Sequence, residues 1–125
     1  MATTMLQFAA GLVVAIGIAH SYLGERYILI RLFRRADLPK LFGSAEFTTR
    51  TLRFAWHLTS IAWFGLAAIL VLLSHPPVTS RLIGHVIGWT FLLTSVAILL
   101  GSRGRHLAWP LFLVIALTAF YYARD

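Results

Sequence analysis

From Met5 to Gly24 the chain runs through 20 residues without an Asp, Glu, Lys or Arg. As a helix such a block is ~30 Å long, which matches the hydrocarbon core of a bilayer. Three further apolar blocks follow, at about Phe54–Ser74, Arg81–Gly101 and Leu107–Tyr122. They are continuous blocks and not amphipathic alternations. The expected fold class is therefore all-α: a four-transmembrane-helix antiparallel bundle in one domain, residues 1–125. Its helices are expected at about 4–33, 47–74, 80–101 and 106–123. The first continues through "ERYILIRLF" to Phe33, extending into the cytoplasm.

Composition supports a lipid surround. Only 12% of residues are charged and 59% are hydrophobic, whereas a soluble domain carries about 25% charged residues. No cysteine is present, which removes disulfides, thiolate metal sites and cysteine nucleophiles. Net charge is +7, and ten of the eleven cations are Arg. In a hydrophobic chain, basic loops orient the protein and touch anionic lipid headgroups, and nucleic acid is not the expected partner. The N-terminus has no basic stretch and no small-residue cleavage site, so a retained helix is expected there.

Punctuation falls between the blocks. "RRADLPKLFGSAEF" holds Pro39 and Gly43, "SHPPVTS" holds Pro76 and Pro77, and "GSRGRH" supplies two glycines. Pro110 falls in the first turn of the last helix, where a missing N–H is tolerated. Nine cations flank or occupy the first and third loops, against Arg81 and Arg124 on the other side. The positive-inside rule then puts loops 34–47 and 101–106 in the cytoplasm and both termini outside.

Lipid gives no hydrophobic drive to helix association, so small residues mark the contact faces. In helix one, Ala10, Gly17 and Gly24 share a stripe with Val13, His20 and Tyr27. In helix two the stripe is Arg50, Phe54, His57, Ser60 or Ile61, and Phe64. Folding these helices about Pro39 with equal rise sets His20 opposite His57, Glu25 opposite Arg53 and Gly17 opposite Ser60.

Counting inward from the outer membrane surface gathers His20, Glu25, Arg53, His57, Arg103, Arg105 and His106 near one plane. In the first reading these groups are structural. Glu25 and Arg53 pair, and the histidines bond across helices to Ser21, Ser60 or a backbone carbonyl. The alternative reading is a haem- or metal-binding redox module. A transition metal would use His20, Glu25 and His57. Haem b would use His57 with His106, or one of His20, His57 and His106 alone, since neighbouring helices ~8–10 Å apart leave little room for a macrocycle between His20 and His57. Arg53, Arg103 and Arg105 are candidates for an anion or lipid headgroup. Arg81, His85 and Trp89 share a face as an interfacial anchor, with the cation stacked on the indole.

No acidic pair, nucleophile elbow, phosphate-binding glycine loop or H-E-x-x-H is present. Ser21 or Ser60 with His57 makes a Ser–His pair whose third member would have to be Glu25. The expected function is thus a non-enzymatic accessory subunit, or a self-associating bundle whose polar cluster fixes helix contacts. Its partners are the bilayer, anionic headgroups, and a homo-oligomer or larger membrane complex.

"AHSYLGE" and "RFAWHLTSIAWFGLA" resemble segments of a group of small bacterial four-helix membrane proteins carrying H-S-x-L-G-E and W-H. The resemblance covers most of the chain and implies the architecture. It draws attention to His20, Ser21, Gly24, Glu25, Trp56 and His57, and brings no activity.

Overall fold

The computed structural model describes residues 1–124. Four helices account for most of them: α1 (Ala2–Leu32), α2 (Glu46–Leu73), α3 (Ser80–Gly101) and α4 (Ala108–Tyr122). No strand is present among the described residues. The first three helices are long and apolar enough to cross a membrane. α4 is apolar but has 15 residues, a rise of ~22 Å against a hydrocarbon core of ~30 Å.

Thr79 caps α3, accepting the Leu82 N–H at 3.2 Å, so α3 begins directly behind the prolines. α2 begins at Glu46, well before its apolar block, because Arg50 supports the polar first turns. Its Nε donates to Glu46 at 3.0 Å, and its Nη1 donates to the Gly101 carbonyl at 3.1 Å. The second bond places a cation on the C-terminal carbonyls of α3, where the helix dipole is negative. Arg50→Gln is expected to lower stability in a detergent melt by about 1–2 kcal/mol. Exposed Arg34→Gln should stay within about 0.5 kcal/mol of wild type.

Each helix packs only against its neighbours in sequence. Among the described residues, α1 meets α2, α2 meets α3 and α3 meets α4, and α1 touches neither α3 nor α4. α1 does not close on α4, so the helices lie in an open row. Neighbours in the row approach closely. A side chain fits over a glycine at all three: Trp56 over Gly24, Phe54 over Gly101 and Phe120 over Gly88. Neighbours run in opposite directions. Gln7 meets His75 at 3.4 Å at one end of the first pair, and Glu25 meets Arg53 at 3.1 Å towards the other.

α1 is not uniform. Gly24–Leu29 forms a π-helical turn between two α-helical stretches. The wider i→i+5 turn shifts the helix face. Glu25, Leu29 and Phe33 consequently all turn toward α2: Glu25 bonds Arg53, Leu29 is fully buried, and Phe33 lies 4.9 Å beneath the Arg53 guanidinium.

In the first loop, Leu41 and Ser44 exchange backbone hydrogen bonds around Phe42 and Gly43, both at positive φ (56° and 87°). Glycine accepts that geometry freely, whereas phenylalanine is strained there. Phe42 is held edge-on to Phe47 at 5.3 Å. Nearby, Arg35 bonds Asp37 at 2.6 Å and holds its carboxyl below the ordinary carboxylate range.

Candidate functional site

The polar groups of the α1–α2 hairpin form two networks. The first starts inside the interface, where buried Ser60 donates to the Gly17 carbonyl at 2.8 Å. Ser60 and Ser21 hydroxyls are 2.7 Å apart, Ser21 Oγ lies 2.9 Å from His57 Nδ1, and His57 Nε2 lies 3.3 Å from Glu25 Oε2. Arg53 closes the chain with both Nε and Nη2 on Glu25, at 3.3 and 3.1 Å.

A carbonyl only accepts, and this fixes the direction of every later bond. Ser60 has one proton and gives it to Gly17, so Ser21 donates to Ser60. Ser21 has then used its proton, so His57 Nδ1–H donates to Ser21. The His57–Glu25 contact completes the chain when a further proton lies between Nε2 and Oε2. Arg53, meanwhile, supplies both oxygens of Glu25 with donors.

The second network centres on His20. Its Nε2 faces the Trp56 carbonyl at 3.3 Å and must therefore carry the proton. Trp56 Nε1–H returns the bond to the His20 carbonyl at 3.0 Å. The two rings stack in parallel, 4.6 Å apart, and Trp63 stands tilted 5.1 Å from the imidazole. This reciprocal lock depends on Gly24, over which the indole lies.

The equal-rise count set Glu25 against Arg53 and Gly17 against Ser60, and those pairs meet. His20 meets Trp56 and not His57, so the two histidines belong to separate networks. The metal set His20, Glu25 and His57 is accordingly not brought together; only Glu25 and His57 meet. No group of three His, Asp or Glu side chains converges among the described residues. His106 lies apart from both, 5.9 Å from Phe47 in a stack and 5.2 Å from Phe54 edge-on. Its Nδ1 accepts the Ala108 N–H at 3.3 Å, which helps cap α4.

The helix-two stripe divides. Ser60, His57 and Phe64 face α1, whereas Arg50 and Phe54 face α3. The expected single plane of cations divides as well. Arg53 joins Arg50 in lining a cleft of about 460 Å³ floored by Phe54, Ala97 and Gly101. Arg103 instead bonds Glu46 at 3.4 Å, and Arg105 is not part of the cleft wall. Near the other end of α3, Phe120 takes the place expected of Arg81: it packs edge-on to Trp89 at 5.4 Å and lies 6.1 Å from His85.

Ser21, His57 and Glu25 do stand in series. The Ser21 proton is held by Ser60. Its neighbouring backbone N–H groups belong to a continuous helix, so no donors are free for an oxyanion. Trp63 and the Phe47–Phe54 slot around His106 carried no sequence signal, because an aromatic residue in an apolar run reads the same on any helix face.

No family model, curated protein or solved structure matches the chain.

Proposed function

We propose that the chain is a small multi-pass protein of the bacterial inner membrane, acting as a non-enzymatic accessory subunit or as a self-associating bundle. Loops 34–47 and 101–106 are cytoplasmic and both termini lie outside. In this reading the Glu25–His57–Ser21–Ser60 chain and the His20–Trp56 lock fix the first hairpin. The arginines of the first and third loops meet anionic headgroups. One observation carries the proposal: the hairpin's polar groups pair mostly with one another, while an open row of helices leaves apolar surface on both sides for lipid or protein.

The chain has no cysteine, so single-cysteine variants report topology cleanly. Phe42→Cys and Arg105→Cys should resist a membrane-impermeant maleimide in intact spheroplasts, and Ser80→Cys should react. Arg124→Cys tests whether short α4 crosses; it should react as well. Native mass spectrometry from nanodiscs should give a fixed oligomer or a fixed complex. A chain that stays monomeric and alone at every protein-to-lipid ratio would refute the subunit reading.

A further inference from the structure

Beside the His20–Trp56 lock, α1 and α2 leave a hollow of about 490 Å³ whose walls include His20, Tyr27, Trp56 and Trp63. A second hollow of about 520 Å³, walled by Val13, Leu66 and Leu70 among others, shares Ile16 and Trp63 with the first. Together they make a groove with one polar end and one apolar end. The polar end has a defined hydrogen-bonding sense. His20 Nε2 carries the proton given to the Trp56 carbonyl, so in the neutral imidazole Nδ1 presents a lone pair. That nitrogen has no hydrogen-bond partner among the described residues and is not sealed from the surroundings. An acceptor beside tilted and stacked aromatic rings, at the head of an apolar trough, has the complement of a ring hydroxyl bearing a long alkyl tail. Each hollow's volume falls within the range of small-molecule sites.

We propose that this groove binds a lipophilic hydroquinone or alkylphenol, taken laterally from the bilayer. The ring hydroxyl donates to His20 Nδ1, the ring packs against Trp63, and the tail lies along Val13, Ile16 and Leu66. A ring packs on indole with a preference that an aliphatic alcohol lacks, and a quinone, which has no donor, leaves Nδ1 unmet. The inference rests on the membrane reading above. Recovery of the chain in the carbonate-washed membrane fraction tests that reading by itself.

The probe is a bromine-labelled decyl-hydroquinone, titrated into nanodiscs carrying the Trp89→Phe/Trp109→Phe protein, so that only Trp56 and Trp63 report. Saturable quenching is expected, with at least tenfold weaker binding of the corresponding dimethyl ether, which keeps ring, bromine and tail but has no donor. Brominated dodecanol should also bind at least tenfold more weakly. Ile16→Phe, at a position exposed to lipid, should weaken hydroquinone and ether equally by narrowing the trough. His20→Phe, which retains a ring against Trp56, should abolish the preference for hydroquinone over ether. Linear, unsaturating quenching overturns the proposal. So does equal affinity for hydroquinone and ether, equal affinity for dodecanol, or survival of the preference in His20→Phe.

Discussion

Gly24→Ala should lower the stability of the detergent-solubilised protein by about 3 kcal/mol, the upper end of the range for overpacking. Helix propensity alone gives the opposite sign, since alanine is favoured over glycine in a helix by about 1 kcal/mol. The backbone gives no reason for glycine either: φ is −61° and ψ is −48°, ordinary right-handed values. The reason is the indole. A Cβ on Gly24 would land within the Trp56 ring. That ring cannot swing aside cheaply, because Nε1–H is bonded to the His20 carbonyl and one face is stacked on the imidazole. Gly11 is the control. Nothing lies within 4 Å of its would-be Cβ, so Gly11→Ala should leave stability unchanged or raise it by up to about 1 kcal/mol. The clash also predicts coupling. Trp56→Leu should be damaging alone yet add little to Gly24→Ala, giving a double-mutant interaction of about 1–2 kcal/mol. A Gly24→Ala protein as stable as wild type would show that the hairpin does not pack as described.

Much of this hairpin is legible in the sequence, and the reason is geometric. Two helices joined by one loop must run in opposite directions, so distance from the turn predicts partner depth. That count paired Glu25 with Arg53 and Gly17 with Ser60. Small residues marked the contact face of α1, and Ala10, Gly17 and Gly24 are all buried. Depth, however, does not fix rotation. The equal-rise count puts His20 level with His57, but around the helices His20 meets Trp56 while His57 meets Ser21. Nothing in "GERYIL" marks a π turn. Which helices meet beyond the first hairpin is not legible. A hydrophobic block has no visible partner face when lipid is as good a neighbour as protein, so the sequence could not distinguish an open row from a ring. His106 illustrates this: it lies between Phe47 and Phe54, on the side of α2 that faces α3 and not among the α1 groups it is expected to join.

Glu25→Leu and Glu25→Gln should separate the charge of the first network from its hydrogen-bonding geometry. Leucine removes every acceptor at once. Arg53 loses both of its bonds and His57 Nε2 loses its partner. A fully buried pair broken in this way costs about 3–5 kcal/mol. Here the Arg53 and Glu25 side chains are 45% and 33% exposed, so water relieves part of the loss and about 2 kcal/mol is expected. Glutamine has nearly the same shape. Its carbonyl oxygen, in the place of Oε1, still accepts from Arg53 Nη2, and its NH₂, in the place of Oε2, donates to a neutral His57 whose single proton stays on Nδ1; the one bond given up is that from Arg53 Nε. Glu25→Gln should therefore lose about 1 kcal/mol. The same argument makes a spectroscopic prediction. In Glu25→Gln, ¹⁵N shifts should report His57 as the neutral Nδ1–H tautomer, the less common form in water. Adding Ser21→Ala should release it to a mixture, because Ser21 is the acceptor that holds the Nδ1 proton. An Nε2–H tautomer in Glu25→Gln would break the chain of donors at its second link, and with it the claim that the Gly17 carbonyl sets the direction of the network. Equal destabilisation by leucine and glutamine would instead mean that Arg53 and His57 require the negative charge itself, and that the hydrogen bonds add nothing to it.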